Sequence, residues 1–155
     1  MAAPHRACIR SRSFIMEPPP RCNYLVINRQ RKHSIDGAEV RRFLSTLVAT
    51  LGVEDPFSVV FVTDGKIRRY NRQYRGLDKP TDVLSFPGED RYLGDILISS
   101  ETAYNQASKS QTLTFETNVQ RLILHGLLHL MGYDHETDHG EMRAMEHRLR
   151  RRFQC

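Results

Sequence analysis

The stretch Leu122–His135, LILHGLLHLMGYDH, decides how the rest of the chain is read. Every residue of Leu122–Met131 other than His125, Gly126 and His129 is Leu, Ile or Met. Such a run predicts a helix buried nearly all round. His125 and His129 are four residues apart, so a helix places their imidazoles on one face, about one turn apart. Gly132 can leave the helix with positive φ, a turn that carries His135 back toward the first two rings. Three neutral imidazoles converging on one point make a zinc site with its fourth position open, the pattern of catalytic rather than structural zinc.

A lone histidine in an apolar helix is more often a core residue bonded to the backbone. Two such residues at i and i+4, followed by glycine and a third histidine, reverse that expectation. Burying imidazoles without partners costs on the order of 1–3 kcal/mol each, and one metal ion removes the cost. Zinc is favoured, although nickel, cobalt or copper could occupy the site in vitro. Asp134 is either an acceptor for a ligand N–H or an ordinary turn residue. His5, His33, His139 and His147 lack this context and are expected to be solvated.

Outward from this stretch, the chain alternates strand and helix patterns. Tyr24–Asn28 (YLVIN) reads as a strand. Asp36 and Glu39 form a capping-box pattern, after which Val40, Phe43, Leu44, Leu47, Val48 and Leu51 recur at helical spacing up to Gly52. Phe57–Val62 is a second strand, and Asp64 is placed to cap a short helix carrying Ile67, Tyr70 and Tyr74. A loop beginning at Tyr74 leads to strands at about Asp82–Phe86 and Leu93–Ser99, joined by a linker short enough for a hairpin. Helices follow at Ser100–Lys109, from about Thr112–Thr114 to Met131, and after Asp138 and Glu141, with Met142, Met145 and Leu149 as core. The expected fold is α/β, more narrowly α+β. A single domain carries a mixed four-stranded sheet and about five helices, one of them a zincin-like metal helix. The first two strands are expected to be parallel and the last two antiparallel.

Length and 39% hydrophobic content fit one domain, and no apolar run approaches a membrane span. The three cysteines, Cys8, Cys22 and Cys155, are scattered, which predicts free thiols and a reducing, intracellular setting. The net charge of +5 is uneven, because residues 1–21 hold four arginines against Glu17 alone. That segment lacks helical or strand period, ends in Pro18-Pro19-Pro20 and is expected to be a disordered extension, with the domain proper at 22–155. It has no apolar region of signal-peptide type. It shares arginine richness with organelle transit peptides, and a translation start at Met16 is an equal reading. A basic tail and the arginines Arg148, Arg150, Arg151 and Arg152 are compatible with a polyanionic partner without establishing one.

The ligand spacing matches the HExxHxxGxxH motif of metzincin peptidases except at the residue after the first histidine. Gly126 stands where those enzymes keep their general base, which argues against peptide hydrolysis. HGLLHLMGYDH, together with YRGLDKPTDVLSFP upstream and LGDILIS between, resembles the YbeY family of endoribonucleases over about residues 24–150. EMRAME (Glu141–Glu146) resembles the family's end.

The resemblance implies a single-domain α/β fold with zinc on His125, His129 and His135, and functional residues at Arg75 and Asp95. It also implies cleavage of single-stranded RNA in 16S rRNA 3′-end processing and ribosome quality control, in the cytoplasm, with the ribosomal subunit or its proteins as partners. Zinc can lower the pKa of water to about 7 and polarise phosphoryl oxygens. Whether water or an RNA 2′-hydroxyl attacks, negative charge builds on phosphate, and a guanidinium such as Arg75 is suited to stabilise it. Asp95 either orients a strand–loop junction or assists proton transfer. Lys79 and the C-terminal arginines could hold the phosphate backbone, and Tyr74 or Phe86 a base, although core packing is the commoner fate of such aromatics. Two other readings stay open: a zinc hydrolase of another substrate, such as a peptide, and a ribosome-associated factor stabilised by zinc.

Overall fold

A computed structural model describes residues 23–155; the extension 1–21, His5, Cys8 and Cys22 lie outside them. The elements run β1 (Tyr24–Asn28), α1 (Gly37–Leu51), β2 (Phe57–Val62), α2 (Asp64–Arg75), β3 (Val83–Pro87), β4 (Gly94–Ser99), α3 (Ser100–Ser108), α4 (Phe115–Leu130) and α5 (Glu141–Phe153). The four strands form one sheet in the order β1-β2-β4-β3. β1 and β2 pair in parallel, as do β2 and β4, whereas β3 runs antiparallel to β4. The chain therefore leaves β2 through α2, reaches the outer position as β3, and returns by a hairpin to fill the gap as β4.

Strand alternation divides the core between two faces. Val60, Val62, Leu84, Phe86 and Leu97 meet Ile67 of α2, with Tyr70 and Tyr74 packed against them. On the other face Phe57, Val59, Phe61, Ile96 and Ile98 meet α1 and α4, with Met142 and Leu149 of α5 in the same cluster. Tyr74 and Phe86 pack edge to face at 5.2 Å, and Phe86 is buried, so core packing is their role. Ile123, Leu124, Leu127 and Leu128 of α4 are fully buried. At about 1.5–3 kcal/mol for each such side chain, tertiary burial rather than helix propensity holds α4 in place.

Two expected helix starts differ in the structure. Asp36 caps α1 alone, accepting from the Ala38 and Glu39 amides, while the Glu39 carboxylate accepts from Gln120. The reciprocal capping box lies instead at α4, between Thr114 and Thr117. Thr63, not Asp64, caps α2 by accepting from the Lys66 amide. The Asp64 carboxylate accepts from the hydroxyls of Ser99 and Thr102, which ties α2 to the start of α3. At α5 the residue preceding the helix is Gly140, but Asp138 and Glu141 do act at its start: Asp138 accepts from the Gly140 and Met142 amides and Glu141 from the His139 amide.

His33 is also corrected: it is half-buried and stacks on Tyr104 at 4.3 Å. His139 and His147 are exposed, as expected. Cys155 is a free, buried thiol, and burial pushes its pKa up. Among the described residues no helix is long and apolar enough to cross a membrane.

Candidate metal centre

The site begins with the way α4 meets the sheet. Gly126 lies where the helix packs against β3 and β4. A Cβ built there would stand 2.6 Å from Ile96 Cγ2 and 3.2 Å from Ser85 Oγ. The Ser85 hydroxyl uses this proximity to donate to the Gly126 carbonyl at 3.2 Å. No carboxylate base fits beside His125, because that position is the contact between helix and sheet.

His125 and His129, on the side of α4 not filled by this contact, are half-buried. Their rings meet edge-on with centroids 4.6 Å apart and Nε2 atoms 3.1 Å apart. Gly132 has φ +93° and donates to the His129 carbonyl, while the Tyr133 amide donates to the Leu128 carbonyl. This left-handed turn ends the helix and satisfies its last carbonyls. It brings the exposed His135 ring to 5.9 Å from His125 and 5.4 Å from His129 between centroids.

One ligand atom from each ring lies within 4.8 Å of the others. Imidazole nitrogens 2.0–2.1 Å from a tetrahedral zinc stand roughly 3.3 Å apart. The first pair, 3.1 Å apart, is close to that spacing and the third ring lies near enough to join it, so these residues fit a divalent metal. Burial, then the neighbouring His125 and His135, hold the His129 pKa below its ordinary value, which favours the neutral, ligating form.

The third element at the site is α5, whose contribution no spacing rule revealed. Glu146 places Oε1 3.3 Å from His125 Nδ1, and Arg150 donates to the same oxygen. Burial resists ionisation of Glu146, yet His125 and Arg150 outweigh it and keep the carboxyl below its usual pKa. Asp134, weighed above for such a role, accepts from the Glu136 amide within its own turn.

Asp95, and the helix α2 that Arg75 ends, pack on the opposite face of the sheet. Arg75 is the last residue of α2 and is half-buried. Asp95 pairs in register with Ser58 and Phe86, on the α2 side of β4, and is 2% exposed. It accepts from the Tyr92 hydroxyl at 2.6 Å, and that hydroxyl lies 2.7 Å from Ser58 Oγ. Burial and the Asp95 bond raise the Tyr92 pKa. Edge strand β3 lies between the two sides, contacting α4 through Ser85 and α2 through Phe86.

Lys66, Arg68, Arg69 and Arg72 stand exposed on α2 ahead of Arg75. Arg68 is held by Asp78 in a two-point pair of 2.9 and 3.0 Å, at the edge of an open hollow lined by Gly65, Arg69 and Arg72. Arg69 and Arg72 form no ion pair among the described residues.

Fold and site together define an α+β protein in which three histidines, from one helix and the turn after it, form a cluster fit to hold a metal ion. The family model described as Endoribonuclease YbeY matches residues 25–154, and the chain belongs to that family of hydrolytic nucleases. Relatives named Endoribonuclease YbeY include one from Geobacter sulfurreducens, 40% identical over 83% of this chain and 91% of the relative. Another, from Aquifex aeolicus, is 40% identical over 72% of this chain and 77% of the relative. The solution structure of TM1509 from Thermotoga maritima is similar with a TM-score of 0.58 and 28% identity, covering 80% of this chain and 85% of that one.

Proposed function

We propose that this protein is a zinc-dependent endoribonuclease that cuts single-stranded RNA in late 16S rRNA 3′-end maturation and ribosome quality control. It acts in the cytoplasm on ribosomal subunits or with their proteins. Family membership supports the RNA substrate. The observation that carries the chemistry is the convergence of His125, His129 and His135 beside a glycine with no room for a base.

His125, His129 and His135 would hold the ion, which when bound supplies Lewis acidity and lowers the pKa of water to about 7. The chain's own residues supply binding and orientation. Arg75 presents a planar guanidinium for bidentate contact with a phosphate, so it stabilises the charge that builds during displacement. Arg69 and Arg72 extend this basic row along α2 and hold the phosphate backbone without reading sequence. Asp95, buried and bonded to Tyr92, acts by orienting the junction between loop and β4, since its enclosure suits it poorly to proton exchange with substrate. The domain spans 22–155, and residues 1–21 are an extension outside it.

The test is cleavage of a single-stranded RNA by the purified chain. The wild type cuts and chelation stops it; His125→Ala and Arg75→Glu each abolish cutting, and Arg75→Glu stays folded and zinc-bound. Cleavage surviving both substitutions would sink the site assignment.

A further inference from the structure

We infer that Glu146, held by Arg150, is the positioning residue of the metal centre: it fixes the His125 ring with Nε2 toward the other two imidazoles and thereby sets metal affinity. The inference rests on the zinc reading above and adds a residue outside the ligand set.

A carboxylate only accepts hydrogen bonds, so across the 3.3 Å contact His125 Nδ1 carries the hydrogen. A neutral imidazole protonated at Nδ1 has its lone pair on Nε2. Nε2 is the atom that stands 3.1 Å from Nε2 of His129. The bond to Glu146 therefore selects both the tautomer and the ring face that ligation requires.

Helix α4 cannot do this alone. It sets where the His125 Cβ lies, but the ring torsion of histidine is broad and roughly two-fold. Glu146 supplies the second fixed point from a different element, 21 residues on in sequence. Its side chain is 15% exposed, against 28% for His125, so water competes poorly for the contact. Arg150, one turn further along α5, donates to the same oxygen and keeps the carboxylate from swinging away. A charged acceptor on a ligand's far nitrogen also raises that ligand's basicity.

The test measures zinc affinity of the full chain by chelator competition, for wild type, Glu146→Ala and Glu146→Gln. Circular dichroism and melting of the metal-free forms are read alongside, with the visible spectrum of the cobalt-loaded forms. Glu146→Ala should weaken zinc about 10–100-fold and change the cobalt spectrum. Glu146→Gln, whose amide oxygen still accepts but carries no charge, should fall between. If Glu146→Ala fails to fold, Glu146→Gln decides alone: weakened binding supports the inference, and wild-type binding overturns it. Wild-type affinity and an unchanged spectrum in both variants would overturn this inference alone. Absence of zinc binding by the wild-type chain would overturn the zinc reading, and this inference with it.

Discussion

Helices α4 and α2 lie on opposite faces of one sheet and are built on opposite principles. α4 buries nine of its sixteen residues, leaving His125 and His129 half-covered. α2 buries only Ile67 and Asn71 and exposes a row of cationic side chains. The difference teaches which property each proposed role demands. Ligands must be held to fractions of an ångström, which close packing supplies. A phosphate backbone is met by charge at the surface, where exact placement matters less.

Substitutions in α4 should therefore be lost through structure or metal, and substitutions in α2 through affinity for RNA. The largest effect is expected from Gly126→Glu. A carboxylate forced against Ile96 adds burial of charge to overpacking, and should cost about 4 kcal/mol or more in denaturant unfolding. A stable Gly126→Glu protein that hydrolyses peptides would break the comparison. His125→Ala should retain the fold yet lose stoichiometric zinc, as read by elemental analysis.

Next is Gly132→Ala, which places a Cβ at φ +93°. It should cost about 1–2 kcal/mol and weaken zinc by displacing His135. On the α2 side, the double variant Arg69→Glu/Arg72→Glu should melt near wild type. Two lost phosphate contacts should make its plot of log affinity for single-stranded RNA against log salt shallower by about 1.4. An unchanged slope would remove that row from the binding surface.

The smallest effect concerns the α1 cap. Two backbone amides hold the Asp36 carboxyl below its ordinary pKa. Its folded pKa is depressed, so its contribution is present above the unfolded value and fades as pH falls through the folded one. Thermal melts of wild type and Asp36→Ala should differ at neutral pH and converge in acid.

How far this was legible in the sequence depends on the distance over which each feature is made. The three ligands lie within eleven residues, and helical geometry plus one glycine turn relates them, so their convergence could be read directly. The parallel β1–β2 pair and the antiparallel β3–β4 pair followed from the presence or absence of an intervening helix, whereas the parallel pairing of β2 with β4, across α2 and β3 in the chain, was not legible. Asp64 looked like a cap because local pattern cannot show that Ser99 and Thr102, 35 and 38 residues away, claim its carboxylate. Thr63, the adjacent hydroxyl, then takes the cap. Glu146 escaped for the same reason: its segment drew notice only by resemblance, and its contact with His125 crosses between helices. Gly126 was legible as a missing base, but only the packing against Ile96 shows why the position is glycine.

The most direct test of the account is single-stranded RNA cleavage by Arg75→Glu, with zinc content measured on the same preparation. The account predicts a folded chain holding one zinc per molecule that does not cut RNA. Cutting at the wild-type rate would contradict it, because a phosphate-directed role for the α2 face could then not stand beside the metal centre of α4.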